Sequence, residues 1–248
     1  YKTPLLCFHL GDGEVTTYHS IGRHMEAERP VYGLRFVLDG ADWDHPLSFD
    51  QMAREYAKEI RILDPCGPYN LTGTCFGGVL AYAVAQALAG EGKEIAMLAM
   101  LDSTYPKNAE KKRALLPLMI NSFHELRGYD FAKVIRMTTR KTRTMIRLLR
   151  KPFQTKKYLK KVRGEVPAGV GTKDQRAALA YAHNYYKAES FSGTIHYFRT
   201  TKDRVKDTAP QAFWKRLAGA FHIVDMPCRH NASNSPEDSI FLVEQLCA

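Results

Sequence analysis

The sequence predicts an α/β fold, a mostly parallel sheet with helices on both faces and an inserted helical lid. Three observations carry this reading. Short apolar runs alternate with segments of helical periodicity along most of the 248 residues, which is the pattern of a parallel sheet with helical crossovers. The apolar runs are continuous rather than alternating, as expected of strands covered on both sides. One long basic stretch, from about 106 to 188, breaks the alternation and is too long for a single crossover, so it reads as an insertion within one domain spanning 1–248.

The elements follow in order. Pro4–Leu10 (PLLCFHL) is a buried strand running into the tight loop Gly11-Asp12-Gly13. Pro30–Val37 is a second strand. Ser48–Leu63 has apolar residues at Phe49, Met52, Ala53, Tyr56, Ile60 and Leu63, a helical stripe, with Ser48 as N-cap and Gln51 three residues on as its capping-box partner. PYNLTGT is a strand, and FGGVLAYAVAQALAGEG is a small-residue helix stopping near Gly90 and Gly92. Glu94–Ser103 is a buried strand carrying Asp102 at its end. After the basic segment Lys107–Arg163 come a helix around QRAALAYAHNYYKA, a strand over Gly193–Thr200, a helix in APQAFWKRLAG, a strand over Phe221–Pro227 and a last helix in SPEDSIFLVEQL.

Composition excludes several classes. No apolar run approaches the roughly 20 residues of a membrane-spanning helix, so no membrane partner is expected. Five cysteines without CxxC or metal-ligand spacing fit neither a disulfide framework nor a metal site and favour a reducing cytoplasm. The net charge is +10, and Lys107–Arg163 alone carries 18 basic residues against three acidic ones. No nucleic-acid recognition motif accompanies this charge, so nucleic acid is not an expected partner. A solvated lid face and a docking surface for an acidic partner both account for it.

The chemistry concentrates in Gly73-Thr74-Cys75-Phe76-Gly77-Gly78. A strand, G-x-C-x-G and a helix together form a nucleophile elbow of the α/β-hydrolase kind, with cysteine where serine usually stands. The helix beginning at Phe76 favours the thiolate of Cys75. His230, in MPCRHNAS after the last predicted strand, is the candidate general base. Asp102 is the candidate orienting acid, and Asp203 in RTTKDRV, at the end of the next strand, is the alternative. The loop His9–Gly13 faces the elbow, and the N–H groups of Gly11 and Phe76 are the candidate oxyanion hole. His9 is read as shaping that loop. Cys7 and Cys247 are read as packing residues.

From Pro4 to Leu246 the chain resembles the thioesterase domain that ends many nonribosomal peptide and polyketide synthetases. PLLCFHLGDG is similar to that family's first strand and H-P-x-G-G loop, with Leu10 and Asp12 in place of proline and glycine. PVYGL, MAREYAKEI, PCGPYNLTGTCFGGVLAYAVAQAL and LAMLDS follow in the family's order and spacing, and MPCRH stands where P-G-x-H is usual. The resemblance implies a Cys75–His230–Asp102 triad and no cofactor of the domain's own. It also implies an acyl chain delivered on the phosphopantetheine arm of an upstream peptidyl carrier domain, and excision of this chain from a megasynthase. Cysteine-bearing members are associated with strained-ring products, so a β-lactam or β-lactone is the favoured outcome. Hydrolytic or macrocyclising release, a dienelactone-hydrolase-like small-ester hydrolase using Asp203, and a non-catalytic binding module of the same fold stay open.

Overall fold

A computed structural model describes residues 2–25, 27–36, 47–106, 172–202, 208–228, 230 and 236–247. The chain divides into two compact units, Tyr1–Pro106 with Gln175–Ala248, and Lys107–Asp174. Of the second unit only 172–174 are described, so residues 107–171 of the predicted lid (about 106–188) lie outside the described residues, while its last part, 172–188, is described.

Among the described residues, six strands form one parallel sheet: β1 (Leu5–Phe8), β2 (Val31–Leu34), β3 (Tyr69–Thr74), β4 (Ile95–Leu101), β5 (Phe191–Thr200) and β6 (Ala218–Met226), in the order β2-β1-β3-β4-β5-β6. Cys7 pairs with Thr72, Thr72 with Ala99, and Leu101 with Phe198. The helices are α1 (His19–Met25), α2 (Phe49–Leu63), α3 (Phe76–Gly90), α4 (Thr172–Tyr185), α5 (Ala209–Lys215) and α6 (Pro236–Cys247). Ser48 caps α2, its hydroxyl accepting the Gln51 N–H at 3.1 Å.

Successive strand side chains point to opposite faces, and the core divides accordingly. Leu6 and Phe8 join one cluster with residues of α2, α3, α4 and α5. Leu5 and Cys7 join the other with Ile21 and Met25 of α1 and Leu242 and Leu246 of α6. Leu179, Ala182 and Tyr186 bury against the first cluster, so most of α4 belongs to the sheet-bearing unit.

The sequence pattern does not announce α1. It has seven residues, among them Gly22, two histidines and Arg23, and its stability comes from burying Ile21 and Met25 rather than from propensity. β5 and β6 also start earlier than expected. Their first turns are held by Phe191 pairing with Ala218 and Thr194 with Ala220, and Gly219 is required because a Cβ there would lie 2.0 Å from the Ser192 carbonyl oxygen. No described helix is long and apolar enough to cross a membrane.

Between β1 and β3 the connections leave in opposite directions, β1 toward β2 and β3 toward β4. Ligands of open parallel sheets bind outside the strand carboxyl ends at such a switch point. The loop after β1, the elbow after β3, Asp102 after β4, Thr200 ending β5 and His230 after β6 all lie at that edge.

Candidate active site

Cys75 stands between β3 and α3 with φ 54° and ψ −109°. With Asp102 (φ 41°) it is one of two non-glycine residues at positive φ among those described. Such conformations cost about 1–3 kcal/mol and persist only where the surroundings impose them. Here the surroundings are backbone. A Cβ at Gly73 would fall 2.1 Å from the Gly77 carbonyl carbon, and one at Gly77 would fall 2.4 Å from the Phe8 oxygen. Strand, turn and helix therefore meet at van der Waals distance, which explains the glycines of the motif. The Cys75 N–H donates to the Leu101 oxygen at 2.9 Å, tying the elbow to β4. The thiol is half-buried and sits at the positive end of α3.

The structure brings His230 and Asp102 together. Nδ1 of His230 is bonded to Oδ2 of Asp102, an ion pair when the imidazole is protonated. The Asp102 bond is the main cause that raises the imidazole to about 9. A second hydrogen bond, to Cys75, adds to it, and partial burial opposes both. His230 thus touches acid and thiol at once. Asp102 is buried, its own N–H donating to the Phe198 oxygen at 2.7 Å.

Two residues that sequence reasoning missed complete this arrangement. Thr200, buried at the end of β5, donates its hydroxyl to Asp102 Oδ2 at 2.9 Å, the oxygen that also binds His230. Its signal in the sequence is only its place at a strand end beside the acid. Tyr18 is buried on the loop after β1, donating its hydroxyl to the Phe8 oxygen at 2.7 Å and accepting the Thr74 N–H at 2.8 Å. One hydroxyl joins the strand that leads into the Gly11 loop to the strand that leads into Cys75.

Gly11 lies against the elbow, its Cβ position 3.7 Å from Cβ of Phe76. Phe76 opens α3, so its N–H has no intrahelical acceptor. The loop is also tied to α4: Gln175 donates to the Asp12 carbonyl at 2.7 Å, and Arg176 pairs with the Asp12 carboxylate at 3.4 Å. Phe49 stacks on Tyr186 and packs at a tilt against Phe76, with His183 packed on Phe76. Asp203 lies outside the described residues. Burial pushes the Cys7 thiol far up, consistent with an inert packing residue. Cys247 differs from expectation: it is exposed, because the last turn of α6 carries it outward. No described cluster of histidine, cysteine or acid has the make-up of a metal site.

Residues 3–247 match the model of the thioesterase domain family. The chain belongs to that family. It is 27% identical over 254 residues to a dimodular nonribosomal peptide synthase of Bacillus subtilis (strain 168), covering 95% of this chain and 10% of that protein. It is 25% identical over 256 residues to malpinin synthetase of Mortierella alpina, covering 99% and 3%. The chain thus spans a tenth or less of these relatives' length. Among solved structures, the NocB thioesterase domain in covalent complex with a fluorophosphonate nocardicin G analog aligns with TM-score 0.65 and 18% identity, over 98% of this chain and 92% of that one. The thioesterase domain SrfTE, described for cyclization of the lipopeptide antibiotic surfactin, aligns with TM-score 0.60 and 15% identity over 99% and 89%. These likenesses establish the α/β-hydrolase fold of this thioesterase domain.

Proposed function

We propose that this thioesterase domain releases a peptidyl or polyketidyl chain from the phosphopantetheine arm of a carrier domain, through an acyl-thioester on Cys75. The observation that carries the reading is His230, bonded to both the Asp102 carboxylate and Cys75. The proton passes from thiol to imidazole, and the sulfur attacks the pantetheine thioester carbonyl. The N–H groups of Gly11 and Phe76 stabilise the oxyanion. The carbon–sulfur bond to pantetheine then breaks, and that thiol leaves with the proton held by His230. In the second half His230 takes the proton of an incoming nucleophile, which bonds to the acyl carbon; the carbon–sulfur bond to Cys75 breaks, and the proton returns from His230 to that sulfur.

Sulfur favours a demanding second half. Transfer to serine would leave an oxoester, whereas transfer to Cys75 leaves another thioester and keeps the acyl group's activation. Closing a β-lactam or β-lactone ring needs that activation, so cyclising release of a strained ring is the favoured outcome. The fold shared with SrfTE supports cyclisation, and the synthetase relatives support delivery on a carrier, with no cofactor of the domain's own. The charge of the basic stretch Lys107–Arg163 is suited to attracting an acidic carrier domain.

The test mixes the domain with a peptidyl pantetheine thioester bearing a β-hydroxyl or β-amide nucleophile, followed by intact-protein and product mass spectrometry. The expected result is an adduct absent from Cys75→Ala and a product one water lighter than the free acid. Cys75→Ser is expected to acylate and release mainly the acid. A wild-type adduct that yields only acid would refute the ring-closing outcome, and an adduct persisting in Cys75→Ala would refute the nucleophile.

A further inference from the structure

His9 opens the loop after β1, and its side chain is wholly buried. The ring lies among Phe36, Tyr56 and Phe76, with centroid distances of 5.5, 5.8 and 5.4 Å. Burial is the main reason the imidazole is lowered to about 4, so it is neutral near pH 7. A neutral imidazole offers one N–H and one lone pair. Nδ1 lies 2.7 Å from the Leu10 carbonyl oxygen. A carbonyl only accepts, so the proton is on Nδ1 and the lone pair on Nε2. That Nε2 is buried and meets no donor among the described residues. An apolar side chain of similar size would fill the pocket without leaving a polar atom stranded. Among the described residues, the one hydrogen bond of this imidazole is the bond to Leu10.

Peptide geometry says what that bond does. The Leu10 oxygen also accepts the Gly13 N–H at 2.9 Å, so the peptide between Leu10 and Gly11 is held from its carbonyl side by two donors. In a trans peptide the N–H points opposite to the carbonyl. Drawing the Leu10 carbonyl toward the buried imidazole therefore turns the Gly11 N–H the other way. No described backbone acceptor takes that N–H, and Gly11 stands against Phe76, the other candidate donor.

We propose that His9 is a positioning residue of the oxyanion hole: its Nδ1–H bond to the Leu10 carbonyl presets the direction of the Gly11 N–H. The proposal rests on the reading of Cys75 as nucleophile and of Gly11 and Phe76 as oxyanion donors. His9 touches neither the acyl group nor the thiol, and it exchanges no proton in the cycle.

Two reactions of Cys75 separate the effect from a general disturbance. Acylation by a peptidyl pantetheine thioester passes through an oxyanion. Alkylation by iodoacetamide is displacement at saturated carbon and needs no oxyanion hole. Loss of one oxyanion donor costs about 100- to 1,000-fold, and Gly13 still holds the carbonyl, so His9→Leu is expected to slow acylation about 10- to 100-fold with alkylation within about twofold of wild type. His9→Asn places an amide donor at the Nδ1 position and is expected to recover most of the acylation rate. His9→Gln places it at the Nε2 position and is expected not to.

A folded leucine variant that acylates at the wild-type rate overturns the proposal. So does a parallel fall of acylation and alkylation, or equal behaviour of the asparagine and glutamine variants. Should the leucine variant fail to fold, the asparagine and glutamine pair decides by the same ratio. A wild-type protein that alkylates but never acylates removes the underlying reading of Cys75, and the proposal with it, before any variant is compared.

Discussion

Replacing Tyr18 with phenylalanine removes one oxygen and breaks the link between the two halves of the site. The hydroxyl donates to the Phe8 carbonyl at 2.7 Å and accepts the Thr74 N–H at 2.8 Å, and the side chain is 3% exposed. Water does not reach the gap, so both backbone groups lose a partner that nothing replaces. A buried group left without its partner costs about 1–3 kcal/mol, which for two groups sums to about 2–6 kcal/mol, less a small gain from no longer burying a hydroxyl. The ring itself stays in its cluster with Cys7, Ile21 and Met25, so no cavity term is added. Urea unfolding followed by intrinsic fluorescence reads the loss as a lower midpoint at unchanged slope. Acylation of Cys75 should fall as well, because the freed strands carry the Gly11 loop and the elbow. A folded variant within about 0.5 kcal/mol of wild type would show that the bridge does not stabilise the strand ends and would refute the reasoning.

Three further outcomes follow from the same geometry. Gly73→Ala puts a Cβ 2.1–2.5 Å from backbone atoms of Gly77 and Gly78, so a loss of about 3 kcal/mol or more is expected in chemical denaturation. Gly22→Ala, in a helix with nothing within 4 Å of the new Cβ, is the matched control and should gain up to about 1 kcal/mol. For His230 the folded value is raised from 6.5 to about 9, chiefly by Asp102. The stability it contributes is therefore full below 6.5 and lost as pH rises through about 9. The proton NMR titration of His230 should have its midpoint near 9 and fall toward 6.5 in Asp102→Asn, with a flatter dependence of stability on pH over that window. An unchanged midpoint in the variant would remove Asp102 as the cause.

The placement of the candidate site was largely legible because each candidate follows a strand. Cys75, Asp102 and His230 follow runs whose apolar continuity marks them as buried parallel strands, and parallel strands deliver their carboxyl ends to one edge. What stayed hidden involves partners on neighbouring strands or loops. Thr200 is 98 positions from Asp102, and Tyr18 is 56 from Thr74. Neither shows a periodicity or motif, since each depends on which strand lies next to which. The helix α1 was hidden for a related reason: seven residues are too few for a helical pattern, and their burial depends on α6, which comes last in the chain. The exposure of Cys247 likewise depends on where the final helical turn ends.

By itself the sequence determined the local chemistry: a glycine-lined turn that no larger residue fits, a cysteine at its apex, a helix starting beside it, and strands that end in Asp102 and precede His230. Tertiary structure decided the contacts that make these one site. His230 meets Asp102 across 128 positions only because β6 and β4 flank β5 in a single parallel sheet. The neutral imidazole of His9 is set by the three aromatic rings around it. Turn and helix preferences act over a few residues and can be read along the chain. Strand order, burial and the field around a titratable group are sums over distant parts of it, and they exist only once the sheet has closed on its two cores.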